Sequence, residues 1–192
     1  MEKCGNVEMN DLGSSSFFFS GSHSLKLDDK GRFVLPHAFR LGLVENGRDD
    51  FVMCLGLGKS LCIYKRSDME KMVQRFKEKQ HIAKYQPFFT TFFSNMHQTK
   101  CDTIGRTSIP QFLKQIVGIE KEIVVCGVLN KIEIWPKKVY EQNLQNLLEG
   151  KDEMKEQIEE AFALLDEGDV APKERVTEDT LSRVGKVPAE RT

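Results

Sequence analysis

His23 to Arg40 reads HSLKLDDKGRFVLPHAFR, and His97 to Lys114 reads HQTKCDTIGRTSIPQFLK. Laid 74 residues apart, His23 meets His97, Lys26 meets Lys100, Asp28 meets Asp102, Gly31-Arg32 meets Gly105-Arg106, and Pro36 meets Pro110. Arg40 and Lys114 are both basic, and Leu35/Ile109 and Phe39/Leu113 keep apolar character. The likeness resumes downstream at an offset of 71, where Val52–Tyr64 (VMCLGLGKSLCIY) faces Ile123–Trp135 (IVVCGVLNKIEIW). Each is an apolar run around a glycine, Gly56 or Gly127, then a polar turn and a second run ending in an aromatic. The drop from 74 to 71 places three extra residues in the first copy's connecting loop. Phe18-Phe19-Ser20 and Phe92-Phe93-Ser94 precede their motifs equally. Self-similarity of this kind marks a duplicated unit of roughly 50 residues.

The turn chemistry of each copy is local. Asp28 and Asp102 can bond backbone N–H groups just ahead, and Gly31 and Gly105 supply a positive φ without strain, so each motif reads strand, turn, strand. Pro36 then opens a short helix that Gly42 ends, and Pro110 and Gly118 do the same in the second copy. The runs around Gly56 and Gly127 are β-rich and predict a further hairpin each. Ser67-x-x-Glu70 reads as a capping box for a helix over 67–84, with Met69, Met72, Val73 and Phe76 on one side and Pro87 after it. Pro136 begins the matching helix of copy two. Met154, Ile158, Phe162 and Leu165 predict another amphipathic helix over 153–167.

The expected organisation is a disordered leader over 1–16, a first unit over 17–66, a linking helix and loop over 67–91, a second unit over 92–136, C-terminal helices over 137–168 and a disordered tail over 169–192. The fold class is mainly β with helices, α+β. A unit near 50 residues buries too little surface to be comfortable alone, so the two copies are expected to pack on each other about a pseudo-twofold axis.

Net charge argues at first against nucleic acid, since 28 basic and 29 acidic residues sum to −1. Divided at the repeat boundaries, residues 17–149 carry +6, residues 1–16 carry −2 and residues 150–192 carry −5. No apolar run approaches the ~20 residues of a membrane helix, and no secretory signal is visible. The five cysteines are scattered with no Cys-x-x-Cys, which fits reduced thiols in a cytosolic protein. His23 and His97 are equivalent, but no Cys or acid joins them at ligand spacing in both copies, so no metal is implied, and no cofactor either. No nucleophile with a base, phosphate loop or metal cluster suggests an enzyme.

Symmetric pairing would bring Arg32 and Arg106 to one face, joined by Lys26, Lys30 and Lys100. A basic face is the first requirement of a DNA binder, and the arginine fork suits guanine O6 and N7. The competing reading of each arginine is a turn residue bonding a nearby carboxylate. Asp28 and Asp102 would repel phosphate, so they are expected to fix the turn or orient the arginine, and Gly31 and Gly105 to be backbone requirements. Phe88-Phe89 and Phe92-Phe93 read as core or subunit interface in preference to base-stacking platforms.

At these residues, Asp28-Asp29-Lys30-Gly31-Arg32, Asp102-Thr103-Ile104-Gly105-Arg106 and the run Asn130–Trp135, the sequence resembles the MraZ family, within the wider group of AbrB/SpoVT-type regulators. The likeness covers residues 17–149. It implies swapped-hairpin β units, ring-shaped homo-oligomers, and transcription regulators that bind double-stranded promoter DNA at direct repeats upstream of the division and cell-wall gene cluster. It also implies a cytoplasmic, nucleoid-associated protein whose two Asp-x-x-Gly-Arg loops contact DNA. The copies differ where Asp29 and Lys30 become Thr103 and Ile104. The alternative expectation is an antitoxin-like module that uses its acidic C-terminal tail on a protein partner.

Overall fold

The computed structural model describes residues 17–149 and 156–162. The chain divides into two units, the first ending at Gln145 and the second starting at Asn146. The first holds both copies of the repeat. Copy one supplies β1 (Ser22–Lys26), β2 (Arg32–Val34), α1 (His37–Leu43), β3 (Asp50–Leu55) and β4 (Leu61–Lys65). Then come α2 (Arg66–Lys79), a 3₁₀ turn (Ala83–Tyr85) and α3 (Gln86–Ser94). Copy two supplies β5 (His97–Lys100), β6 (Arg106–Ser108), α4 (Gln111–Val117), β7 (Glu122–Val128) and β8 (Lys131–Pro136), and α5 (Lys137–Leu148) follows.

Pairing is exchanged between the copies. β1 and β2 flank the same turn yet do not pair with each other. β1 runs antiparallel to β7, from Ser22 opposite Cys126 to Lys26 opposite Glu122. β2 runs antiparallel to β6 in a separate two-stranded ribbon. The larger sheet has the order β1-β7-β8-β4-β3-β5. Replacing every strand by its counterpart in the other copy returns the same order reversed. A pseudo-twofold axis therefore passes between β4 and β8 and through the ribbon, and the hairpins are swapped.

One core serves both copies. Alternate residues of the four inner strands point to the same side: Phe51 and Met53, Leu61 and Ile63, Ile123 and Val125, Ile132 and Ile134. Phe33, Leu35, Phe39 and Leu43 pack there from copy one, and Ile109, Leu113 and Val117 from copy two. Neither set could bury its apolar face alone. The opposite face of β3 and β4 carries Val52, Cys54 and Cys62, covered by Met69, Met72 and Val73 of α2 and Phe92 of α3.

The register refines the repeat. By position in the sheet Phe51 corresponds to Ile123 and Met53 to Val125, seventy-two residues on. Leu61 and Ile63 correspond to Ile132 and Ile134, seventy-one on. The offset of 71 thus applies to β4 and β8 only, and Gly56 and Gly127 are not equivalent. The three extra residues of copy one are two before β3 and one at the tip of the β3–β4 hairpin. A slip of one residue exchanges the faces of a strand, which is why the distinction matters.

Several local expectations change. Ser67 does not form a capping box, because its hydroxyl and backbone N–H both donate to the carboxylate of Glu45, while Glu70 accepts from Arg66. α1 runs past Gly42 to Leu43. Gly42 is needed there for space: a Cβ would strike the rings of Phe17 and Phe19. Gly118 does end α4, with φ +76°. The helix after β4 stops at Lys79, and Pro87 opens α3. Phe92 and Phe93 are thereby helical, whereas Phe19 bridges Leu129 in extended backbone, so the two Phe-Phe-Ser segments are not alike in structure.

In the second unit, residues 156–162 are helical, with Ile158 and Phe162 exposed. The disorder expected over 1–16 and 169–192 lies outside the described residues, as does the remainder of the helix expected over 153–167. Among the described residues no helix is long and apolar enough to cross a membrane.

Candidate nucleic-acid interface

The two Asp-x-x-Gly-Arg turns are built alike. In the first, Asp28 Oδ1 accepts from the backbone N–H groups of Lys30 and Arg32, each at 2.9 Å. Asp28 Oδ2 accepts from Arg32 Nε and Nη2, both at 2.7 Å. The backbone closes the loop, with Gly31 N–H donating to the Asp28 carbonyl and Asp28 N–H to the Arg32 carbonyl, both at 2.8 Å. In the second, Asp102 Oδ1 accepts from Ile104 N–H at 3.1 Å and Arg106 N–H at 2.8 Å, and Oδ2 accepts from Arg106 Nε at 2.8 Å. Gly31 and Gly105 have φ of +72° and +85°.

Each aspartate is therefore charged and committed. The Arg32 side chain, and then its backbone N–H, hold the Asp28 carboxyl below the usual aspartate range. For Asp102 the Arg106 backbone N–H leads and the side chain follows. Each arginine in turn gives one edge of its fork to the aspartate. A guanidinium has five N–H donors, so donors remain on the outer edge.

The ribbon sets the two arginines in relation to each other. Arg32 lies opposite Ser108, Phe33 opposite Thr107, and Val34 opposite Arg106. Phe33 and Thr107 are buried, so Arg32, Val34, Arg106 and Ser108 share the outer face. Arg32 and Arg106 are diagonal neighbours on it, a relation that spans about 7–8 Å. The loops are also tied across the axis: Leu35 N–H donates to the Gly105 carbonyl at 3.0 Å, and Ile109 N–H to the Gly31 carbonyl at 3.1 Å.

The lysines are placed less uniformly. Lys30 is exposed at the tip of the first loop. Lys26, at the end of β1, pairs with Glu122 at 3.4 Å. Lys100, its counterpart at the end of β5, lies opposite Asp50, whose carboxylate is held by Arg66 at 2.8 Å.

Two further cations reach the loops from the opposite copy. A Cβ on Gly31 would stand 2.9 Å from Lys114 Nζ, and a Cβ on Gly105 would run into the guanidinium of Arg40. Arg40 Nε is buried with no hydrogen-bond partner among the described residues. In the sequence Arg40 and Lys114 stand out only as matched basic residues. Their signal was the spacing, eight residues beyond each loop arginine. What the spacing does not show is that each serves the other copy's loop.

Burial pushes the Cys54 thiol up to about 12 and those of Cys62, Cys101 and Cys126 to about 11, so all four stay protonated at neutral pH. His23 packs edge-on against Phe39. Among the described residues no group of three or more His, Cys, Asp or Glu side chains is placed to hold a metal ion. Phe88, Phe89, Phe92 and Phe93 gather around Phe76 of α2, joining α3 to α2.

Comparison with known proteins agrees with the duplicated architecture. The family model described as "MraZ protein, putative antitoxin-like" matches twice, over residues 18–89 and 92–162. The chain is 34 % identical over 139 residues to the transcriptional regulator MraZ of Lachnoclostridium phytofermentans, covering 72 % of this chain and 96 % of that protein. It is 29 % identical over 128 residues to the transcriptional regulator MraZ of Cytophaga hutchinsonii, covering 66 % of this chain and 85 % of that protein.

Proposed function

Because the chain belongs to the MraZ family, we propose that it is a transcriptional regulator that binds double-stranded DNA through the β2–β6 ribbon and its two Asp-x-x-Gly-Arg loops. The observation that carries this reading is the outer face of the ribbon, where two oriented arginines stand diagonally on one exposed surface. A two-stranded ribbon fits the major groove, and an arginine held by a carboxylate keeps outward donors for guanine O6 and N7. Arg32 and Arg106 read bases, Asp28 and Asp102 orient them, and Gly31 and Gly105 shape the turns. Lys26, Lys30 and Lys100, with Arg40 and Lys114, supply positive charge for phosphate. Charge supports this division, since each Asp–Arg pair is neutral by itself and attraction to the backbone has to come from the surrounding cations.

The operator in this reading is a set of short direct repeats upstream of a division and cell-wall gene cluster, and the protein acts in the cytoplasm without catalysis. One ribbon makes a small footprint. A ring of copies would engage successive repeats and multiply affinity through effective concentration. The test is a binding titration of the full chain against its own upstream promoter duplex over a range of salt. Log affinity should fall linearly with log salt, by about 0.9 per phosphate neutralised. Absence of binding to that duplex at low salt would overturn the proposal. A second reading, antitoxin-like capture of a protein, draws on the family description and on the exposed Ile158 and Phe162 beside Glu156, Glu159 and Glu160. Removing residues 150–192 separates the two: DNA binding should survive and capture should fail.

A further inference from the structure

The pseudo-twofold axis makes the two ends of the ribbon comparable position by position. Around Arg32 stand Lys30 at the loop tip and Ser108 as cross-strand partner. Around Arg106 the equivalents are Ile104 and Val34. Ile104 is 58 % exposed and Val34 is 52 % exposed. Neither position is required to be apolar by the fold, because its counterpart in the other copy is polar. Single exposed apolar residues are ordinary. Here two of them flank one oriented arginine, and both have polar counterparts at the other end.

We infer that the Arg106 end reads a thymine next to a guanine, with Ile104 and Val34 packing on the thymine C5-methyl, while the Arg32 end makes only polar contacts. This rests on the DNA-binding reading above and deepens it. In the major groove the C5-methyl is the one apolar feature of a base edge, so an apolar pair beside a guanine-reading arginine has a specific complement there. The frame needed to present the pair is in place. The Ile104 backbone N–H is held by Asp102, and Val34 is fixed in the ribbon opposite Arg106. A chain with unlike ends also binds its site in one direction.

The experiment uses the full chain and a pool of randomised duplex DNA. Sequences enriched by the unaltered protein are resynthesised with each thymine replaced in turn by uracil, which lacks only the methyl. Burying one methyl is worth about fourfold in affinity. At least one uracil adjacent to a guanine should weaken binding by about that factor. The double variant Ile104→Lys, Val34→Ser gives the Arg106 end the side chains of the Arg32 end. It should bind the thymine and uracil duplexes equally. Both positions are more than half exposed, so the fold tolerates the change. Equal binding of every uracil duplex by the unaltered protein would overturn the inference, and so would uracil sensitivity that persists in the variant. In either case sequence enrichment itself would leave the DNA-binding reading standing. Enrichment of no sequence at all would overturn both.

Discussion

The first and second Asp-x-x-Gly-Arg loops share their internal frame and differ in what they hold outward. The aspartate-to-backbone bonds, the aspartate-to-arginine bond, the positive-φ glycine and the cation from the opposite copy occur in both. The tips and cross-strand partners do not match: Lys30 and Ser108 on one side, Ile104 and Val34 on the other. The groups that make the turn are the ones the two copies share, since each of them bonds or shapes the loop backbone. The positions at which they differ are outward-facing ones whose side chains take no part in the turn's backbone bonds. The cation behind each glycine also differs, a terminal ammonium at Gly31 and a planar guanidinium at Gly105.

The largest expected effect tests whether both loops contact DNA. Arg32→Ala and Arg106→Ala should each lower duplex affinity by roughly 1–3 kcal/mol. A loss confined to one variant would break the equivalence of the loops, and full affinity in the double variant would falsify the interface. A smaller contrast concerns the glycines. Gly31→Ala should cost about 1 kcal/mol of stability for its positive φ, since Lys114 can swing its flexible end aside. Gly105→Ala should cost about 1–2 kcal/mol more, because the guanidinium of Arg40 fills the place of the new methyl and part of it is buried. Urea midpoints of the two variants decide this, and equal costs would mean that Arg40 yields as readily as Lys114.

The smallest effect is one the two loops should share. Asp28 and Asp102 are held below the usual aspartate range, so their contribution is full above the unfolded carboxylate pKa of about 3.9 and is lost as pH falls through the lowered folded values. Acid titration of stability should therefore be shallower below about pH 4 in Asp28→Asn and in Asp102→Asn, by similar amounts. An unchanged titration in one of them would show that its aspartate is not held by its arginine in solution.

How far the sequence could be read depended on how local each cause was. The two turns were legible because aspartate, glycine and arginine make their bonds within five residues. The register of β3 and β7 was not. Val52-Met53-Cys54 and Ile123-Val124-Val125 are buried on both faces, so no polar alternation marks which residue points inward. α3 was hidden by Pro87, read as a stop although proline is also favoured in a first helical turn; Phe88, Phe89, Phe92 and Phe93 carried the helical spacing. The capping box failed because Glu45, twenty-two residues earlier, takes Ser67 for itself. Arg40 and Lys114 escaped the site for the same kind of reason: their target loops belong to the other copy.

The exchanged strand order also dictates a timetable for synthesis. As the chain leaves the ribosome, the β3–β4 hairpin can close at once. Ser22 must wait about a hundred residues for Cys126, and Phe33 waits for Thr107. The nascent first copy therefore emerges with β1 and β2 unpaired and their apolar residues uncovered. Contacts this distant in sequence slow folding. A ribosome paused between the copies would expose a half-molecule that any second half, its own or a neighbour's, could complete.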